Sequence, residues 1–312
     1  MKTFIRAAEI WTPTPDKSRL RFLDGFYGPL DQFREISEQM TFGFDEGLPG
    51  KAWAKRHPVI LKEFSNSYFM RTEAAKAAGL TCGMALPVFS GDELKAVLVL
   101  FCGDDEAHVG AIELWHNNSD ESYEMKLVEG YYGTAEMFEF NSRHTHFPRG
   151  FGLPGRVWKK NMPLIMKDLL RSTAFLRWQD AVEVGINRGI GIPYTSAAAD
   201  SWIFVLLSAR DTPIARRFEI WIPNGETGAL TFDSGDCDQN TSLAEDYRQT
   251  SIARGEGTIG KVWRDEVPAI NARLADDSSA PAKSAIAAGL GMSITLPVLD
   301  ERGLKAVVAW YL

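Results

Sequence analysis

The chain has 312 residues, 45% hydrophobic and 24% charged, with a formal charge of −7. That length exceeds one ordinary core and gives two or three domains, and the mild acidic balance excludes a protein that coats nucleic acid, which needs a basic footprint. No stretch reaches about 18 uncharged apolar residues, which excludes a spanning helix, and the apolar run within the opening Met-Lys-Thr-Phe-Ile-Arg-Ala-Ala-Glu is too short for a signal peptide, interrupted by Arg6 and Glu9.

The first elements read in order as follows. A strand ends at Glu9-Ile-Trp11, and a polar turn leads to a second, alternating strand at Ser18 to Leu23. A short helix is predicted over Leu30 to Met40. Gly47-Leu-Pro-Gly-Lys-Ala-Trp53 then turns sharply into a helix that carries the tryptophan. A strand at Pro58 to Leu61 precedes an alanine-rich helix from Arg71 to Gly79, whose glycine suits a left-handed C-terminal cap. Two apolar strands, Gly83 to Phe89 and Leu94 to Cys102, finish the unit.

The same order then returns twice. Trp53, Trp158 and Trp263 are spaced 105 residues apart, each behind a glycine turn (Gly152-Leu-Pro-Gly and Gly257-Thr-Ile-Gly in the later copies). Glu113-Leu-Trp115 and Glu219-Ile-Trp221 match Glu9-Ile-Trp11, and Ile192-Pro193 and Leu296-Pro297 match Leu86-Pro87. Three landmarks in register three times define a repeat. The expected fold is α+β: three modules at 1–106, 107–211 and 212–312, each a mainly antiparallel sheet of five or six strands with short helices on one face. The joints are short and poor in Gly and Ser, so they are not flexible linkers. The closing strands, such as Trp202 to Leu207 and Ala306 to Leu312, are continuously apolar, which predicts burial of both faces by neighbouring modules or by a second chain.

These residues carry a resemblance. The glycine turn with its tryptophan, the proline-led strand, Phe69-Met-Arg71 or Phe175-Leu-Arg177, and the alanine-rich helix ending in Gly-Leu resemble the GAF domain of sensory proteins over most of the chain. Copy three departs from the pattern, with Pro281 where the arginine would stand. The resemblance implies a ligand pocket between one sheet face and the helices. Its candidate lining is Arg71, Tyr68, Phe69, Arg177, Phe175 and Trp178, a mainly apolar set with two cations. The arginines sit at helix starts, where the dipole does not favour a cation. They would serve an anionic ligand or a salt bridge to Asp168 or Glu73.

His144 and His146 would share a strand face, with no third metal ligand evident. Cys82 and Cys102 would face each other across a hairpin turning at Gly91 to Glu93, more as buried thiols than as a redox pair. GAF-like members include a free methionine sulfoxide reductase, but the later copies lack equivalents of these cysteines. The glycine turn itself is either packing or a phosphate cradle, and it lacks a P-loop ending. No catalytic residue, metal or cofactor is assigned. Three cysteines without a CxxC fit a reducing, cytoplasmic-type compartment. The expected function is a non-enzymatic small-molecule sensor acting on a partner protein, with room for a homo-oligomer. The alternative is an interaction scaffold with degenerate pockets, and the minor alternative a thiol redox enzyme.

Overall fold

The computed structural model describes residues 4–103, 109–167, 169, 177–195, 200–209 and 213–312, with the backbone alone for Trp178 and Thr195. The boundaries expected at 106/107 and 211/212 lie outside the described residues. The first module runs β1 (Ile5–Pro13), β2 (Arg19–Phe26), α1 (Asp31–Glu38), β3 (Thr41–Gly43), α2 (Gly47–Lys55), β4 (Val59–Lys62), α3 (Thr72–Ala77), β5 (Cys82–Ser90) and β6 (Glu93–Cys102). The second runs β7 (Gly110–Asn118), β8 (Glu124–Tyr131), α4 (Glu136–His144), β9 (His146–Pro148), α5 (Gly152–Lys160), β10 (Leu164–Met166), α6 (Trp178–Glu183), β11 (Ile186–Thr195) and β12 (Asp200–Ala209). The third runs β13 (Arg217–Asn224), β14 (Ala229–Cys237), α7 (Leu243–Asp246), β15 (Ser251–Ile252), α8 (Gly257–Asp265), β16 (Ala269–Asn271), a 3-10 turn (Leu274–Asp276), α9 (Ala280–Ala287), β17 (Ser293–Asp300) and β18 (Gly303–Tyr311).

Each module is α+β with one six-stranded antiparallel sheet. The first has the order β3-β2-β1-β6-β5-β4, and the other two repeat it. The helices cover one face of each sheet over a core of its own, built around Trp11 and Phe101, Trp115 and Phe147, or Trp221 and Leu230. The opposite faces meet one another. Ile10, Leu86 and Leu98 of module one, Ile112, Ile192 and Phe204 of module two, and Ile220, Leu296 and Val308 of module three form a single buried cluster. This explains the apolar strands. β6, β12 and β18 are covered on one side by their own helices and on the other by sister sheets.

The contacts close a ring within one chain. β4 packs against β8, β10 against β14, and β16 back against β2, while β5 and β11 both touch β17 near the centre. Charged side chains tie the seams. Lys62 reaches Glu129 at 3.2 Å and Glu139 at 3.0 Å. Arg188, almost fully buried, bonds Asp238 at 2.7 Å, Asp236 at 3.2 Å and the Ala215 carbonyl at 2.8 Å. At the first seam the His57 ring stacks on Trp202 with centroids 3.6 Å apart, and His116 lies on Trp202 at 4.0 Å.

The glycine turns have a physical cause. A Cβ on Gly50, Gly155 or Gly260 would lie 2.2–2.3 Å from the carbonyl oxygen of Gly43, Pro148 or Ala253, and nothing larger fits. The carbonyls of these three glycines accept from Asp45, Gly150 and Gly255 at 3.0, 2.7 and 2.7 Å, so the turn folds back onto its own helix. Trp158 is buried, but Trp53 and Trp263 are half-buried, and Phe44, Arg149 and Arg254 cover the three rings from equivalent positions.

Candidate functional site

The face beneath each set of helices is where the resemblance to GAF domains implies a ligand pocket. In module one, Glu9 is fully buried on β1, two residues before Trp11 and therefore on the same face of the strand. Its carboxylate accepts from Trp11 Nε1 at 2.9 Å and from the Tyr27 hydroxyl at 3.0 Å. Arg71, at the entry of α3, turns inward and donates to both oxygens, Nη1 at 2.5 Å and Nη2 at 2.9 Å, and Nη1 also reaches Ser37 Oγ. Five rings surround its guanidinium, Phe33 and Phe101 nearest at 4.8 and 5.3 Å from their centroids. Four donors on one carboxylate fill its lone-pair sites.

Module two repeats the network residue for residue. Glu113 accepts from Trp115 and Tyr132, each at 2.9 Å, and from Arg177 at 2.5 and 2.9 Å, and Arg177 also reaches Ser142. Burial alone would lower the Arg177 pKa, but Glu113 outweighs it, and the pKa stands above the ordinary arginine value. Burial, and after it Glu113, pushes the Tyr132 phenol far up.

Module three makes the same arrangement from different residues. Pro281 has taken the arginine's place at the helix, and the cation comes from Arg217 on β13, at the position of Ala7 and Ala111. Arg217 Nε donates to Glu219 at 2.6 Å, and its Nη2 reaches both Glu219 and the Tyr247 hydroxyl. Trp221 donates at 2.9 Å, Tyr311 at 2.8 Å and Tyr247 at 3.1 Å to the same carboxylate. Tyr247 stands where modules one and two have Ser37 and Ser142, and Cys237 where they have Tyr27 and Tyr132. The donors have moved, and the fully bonded glutamate remains.

The sequence-derived lining residues fall as follows. Arg71 and Arg177 are buried, and their carboxylate partners are Glu9 and Glu113. Glu73 is not the partner of Arg71, because that arginine turns into the core while Glu73 faces outward along α3; Asp168 lies outside the described residues. Phe69 is buried and stacked on Phe64 at 4.0 Å. Tyr68 sits outside on the rim, its ring 5.4 Å from the Lys51 ammonium. Phe175 lies outside the described residues, and Trp178 opens α6 with its side chain likewise outside them. His144 and His146 do not share a strand, since one ends α4 and the other begins β9. Among the described residues no group of three His, Cys, Asp or Glu could hold a metal. Cys82 and Cys102 are directly paired across β5 and β6 as expected, and burial pushes the Cys102 thiol far up.

A cavity of about 710 Å³ sits at one end of the central cluster, where the β5–β6, β11–β12 and β17–β18 ends of the three modules converge. Pro87, Pro193 and Pro297 border it from equivalent positions, with Val88, Tyr194 and Val298 beside them. Its rim carries Arg56, Asp92, Asp300, Glu301 and Arg302. Sequence reasoning missed this cavity because it belongs to no single module.

No protein-family model matches the sequence, and comparison with curated proteins finds no match. Solved structures give similarities to single modules. The A. aeolicus nlh2 GAF domain in an inactive state is 18% identical, covering 33% of this chain and 60% of its own, with a TM-score of 0.27. The GAF domain of an Acinetobacter phosphoenolpyruvate-protein phosphotransferase is 16% identical over 33% of this chain and 60% of its own, with a TM-score of 0.24. The free methionine-R-sulfoxide reductase of Neisseria meningitidis, solved with its substrate, is 15% identical over 31% of this chain and 52% of its own, with a TM-score of 0.25. The sheet order and the glycine turns repeat three times, so the chain is three tandem modules of one α+β fold.

Proposed function

We propose that the chain is a non-enzymatic regulatory or accessory protein whose three modules act as one interaction body on a partner protein. The observation that carries this reading is the repeated buried ion pair. Glu9 with Arg71, Glu113 with Arg177 and Glu219 with Arg217 occupy the space beneath the helices, each with its carboxylate fully bonded. A ligand there would have to displace a desolvated guanidinium from its partner, which is strongly unfavourable. That module three rebuilds the network from other residues supports a filled interior as the feature being kept. Apolar side chains stand out on the outer surface, Phe44, Met137, Phe140 and Phe151 each more than half exposed, and these suit contact with a protein. A raised, fully buried Cys102 thiol disfavours the thiolate that redox catalysis needs.

The test is purification from the protein's own source followed by native mass spectrometry. The reading expects a second protein chain bound in fixed stoichiometry. A chain that always runs alone, or one that carries a small molecule touching Glu9 or Arg71, overturns it.

A further inference from the structure

The segments that form α2, α5 and α8 share a backbone but not a charge. Residues 44–56 carry three cations and two acids, and residues 254–266 carry three of each. Residues 149–161 carry four cations, Arg149, Arg156, Lys159 and Lys160, and no acid. The acids of the sister modules have local tasks. Asp45 pairs with Lys51 at 2.8 Å, and Asp265 with Arg264 at 2.7 Å. Glu46 and Glu256 accept from the backbone N–H of Gly43 and Ala253 at 2.5 and 2.9 Å. Module two has Gly150 at the position of Asp45 and Lys160 at that of Asp265, so Arg156 and Lys159 lose these partners. Pro148 stands at the position of Gly43 and has no N–H to donate, and Phe151, 61% exposed, replaces the glutamate. Among the described residues none of the four cations has an ion-pair partner, and Arg149, Lys159 and Lys160 are exposed. They form one patch. Arg149 lies over the Trp158 ring at 5.5 Å, the Lys159 side chain runs beside Gly150, and Arg156 and Lys160 are one helical turn apart. A cavity of about 240 Å³ adjoins them, with Arg149, Asn161 and Ser201 in its wall. That volume is below the range of small-molecule pockets and suits a single side chain.

We infer that this face of module two, centred on α5, docks an acidic segment of the partner protein, with one carboxylate in the cavity at Arg149 and an apolar side chain on Phe151. The inference rests on the proposed action on a partner and names that partner's chemistry. Charge complementarity favours a short segment over a nucleic-acid duplex or a lipid surface. The chain as a whole carries −7, and a polyanion that extends well past the patch meets that acidic remainder. Screening confines a short segment's attraction to the four cations beneath it.

The test pans the full chain against a library of random short peptides and measures the selected peptides by fluorescence anisotropy. The expected peptides are rich in Asp and Glu around an apolar residue, and their binding weakens as salt rises from about 0.05 to about 0.5 M. Lys159→Glu with Lys160→Glu, both at exposed positions, weakens binding about tenfold or more while the chain stays folded by circular dichroism. Phe151→Ser also weakens it, and Lys55→Glu, at the position of Lys160 in module one, leaves it unchanged. No enrichment, peptides without an acidic excess, or binding indifferent to the double charge reversal overturns the inference. Tighter binding of a short DNA duplex or of phosphatidylserine vesicles through the same cations also overturns it. Native mass spectrometry separates the two readings. A partner chain that stays bound to the Lys159→Glu, Lys160→Glu variant overturns the docking surface alone, whereas no bound chain overturns the reading on which it rests.

Discussion

Arg71→Met tests the buried ion pair most sharply. Methionine fills much of the aliphatic volume but leaves Glu9 without its cation, in a site where both side chains are essentially inaccessible. Breaking one partner of a buried pair costs about 3–5 kcal/mol. If the closed ring unfolds as one unit, its unfolding entropy is about 0.65 kcal/mol/K for a chain of this length, and the melting temperature falls by about 5–8 °C. If module one unfolds alone, roughly a third of that entropy applies, and a first transition moves down by about 14–23 °C. Calorimetry separates the two. Glu9→Gln with Arg71→Met should recover part of the loss, because the uncompensated charge is gone. Ala7→Arg in the Arg71→Met background should also recover part, since Arg217 fills that position in module three. A cost of Arg71→Met below about 1 kcal/mol, a value typical of exposed pairs, would refute the assignment of Glu9 and Arg71 as a buried, mutually compensating pair.

Further outcomes follow from the same geometry. Gly155→Ala should destabilise by about 1–3 kcal/mol or more, because its Cβ would meet the Pro148 carbonyl, whereas Gly185→Ala, left-handed but with open space around it, should cost only about 1–2 kcal/mol; urea melts distinguish them. Arg188→Met should leave Asp236 and Asp238 unpaired at the seam between modules two and three and cost about 2 kcal/mol, less than a fully buried pair because those carboxylates keep some solvent. His57 has a pKa lowered by burial, which outweighs the Pro58 carbonyl and Asp200, with Lys55 and His116 adding to the effect. As the pH falls below the ordinary 6.5, the unfolded chain therefore takes up a proton that folded His57 resists. Stability should drop through that window, and His57→Phe, which still stacks on Trp202, should flatten the slope.

Much of the architecture was legible in the chain. The three tryptophans 105 residues apart fixed the repeat, and the hairpin turn at Gly91 placed Cys82 opposite Cys102, a pairing the sheet keeps despite a bulge at Val88/Phe89. The continuous apolar runs of β6, β12 and β18 announced that something covers their outer face, and the sister sheets do. The interior network was half visible. Glu9, Glu113 and Glu219 stand out as repeated landmarks, and a carboxylate two residues from a core tryptophan on an apolar strand is itself a signal that a buried cation must exist. Its identity was not readable because Arg71 lies 62 residues away and the pairing depends on how α3 enters. In module three the signal moved altogether, from the helix start at Pro281 to Arg217. The central cavity arises only where three sheets meet, and no local pattern encodes that.

The most direct measurement is a high-resolution crystal structure of the protein purified from its own source. The account predicts the Arg71 guanidinium in two hydrogen bonds with Glu9, the Arg177 and Arg217 networks in the same state, and no foreign density between these side chains and the helices. A molecule lying between Glu9 and Arg71, with the ion pair opened to receive it, would contradict the account.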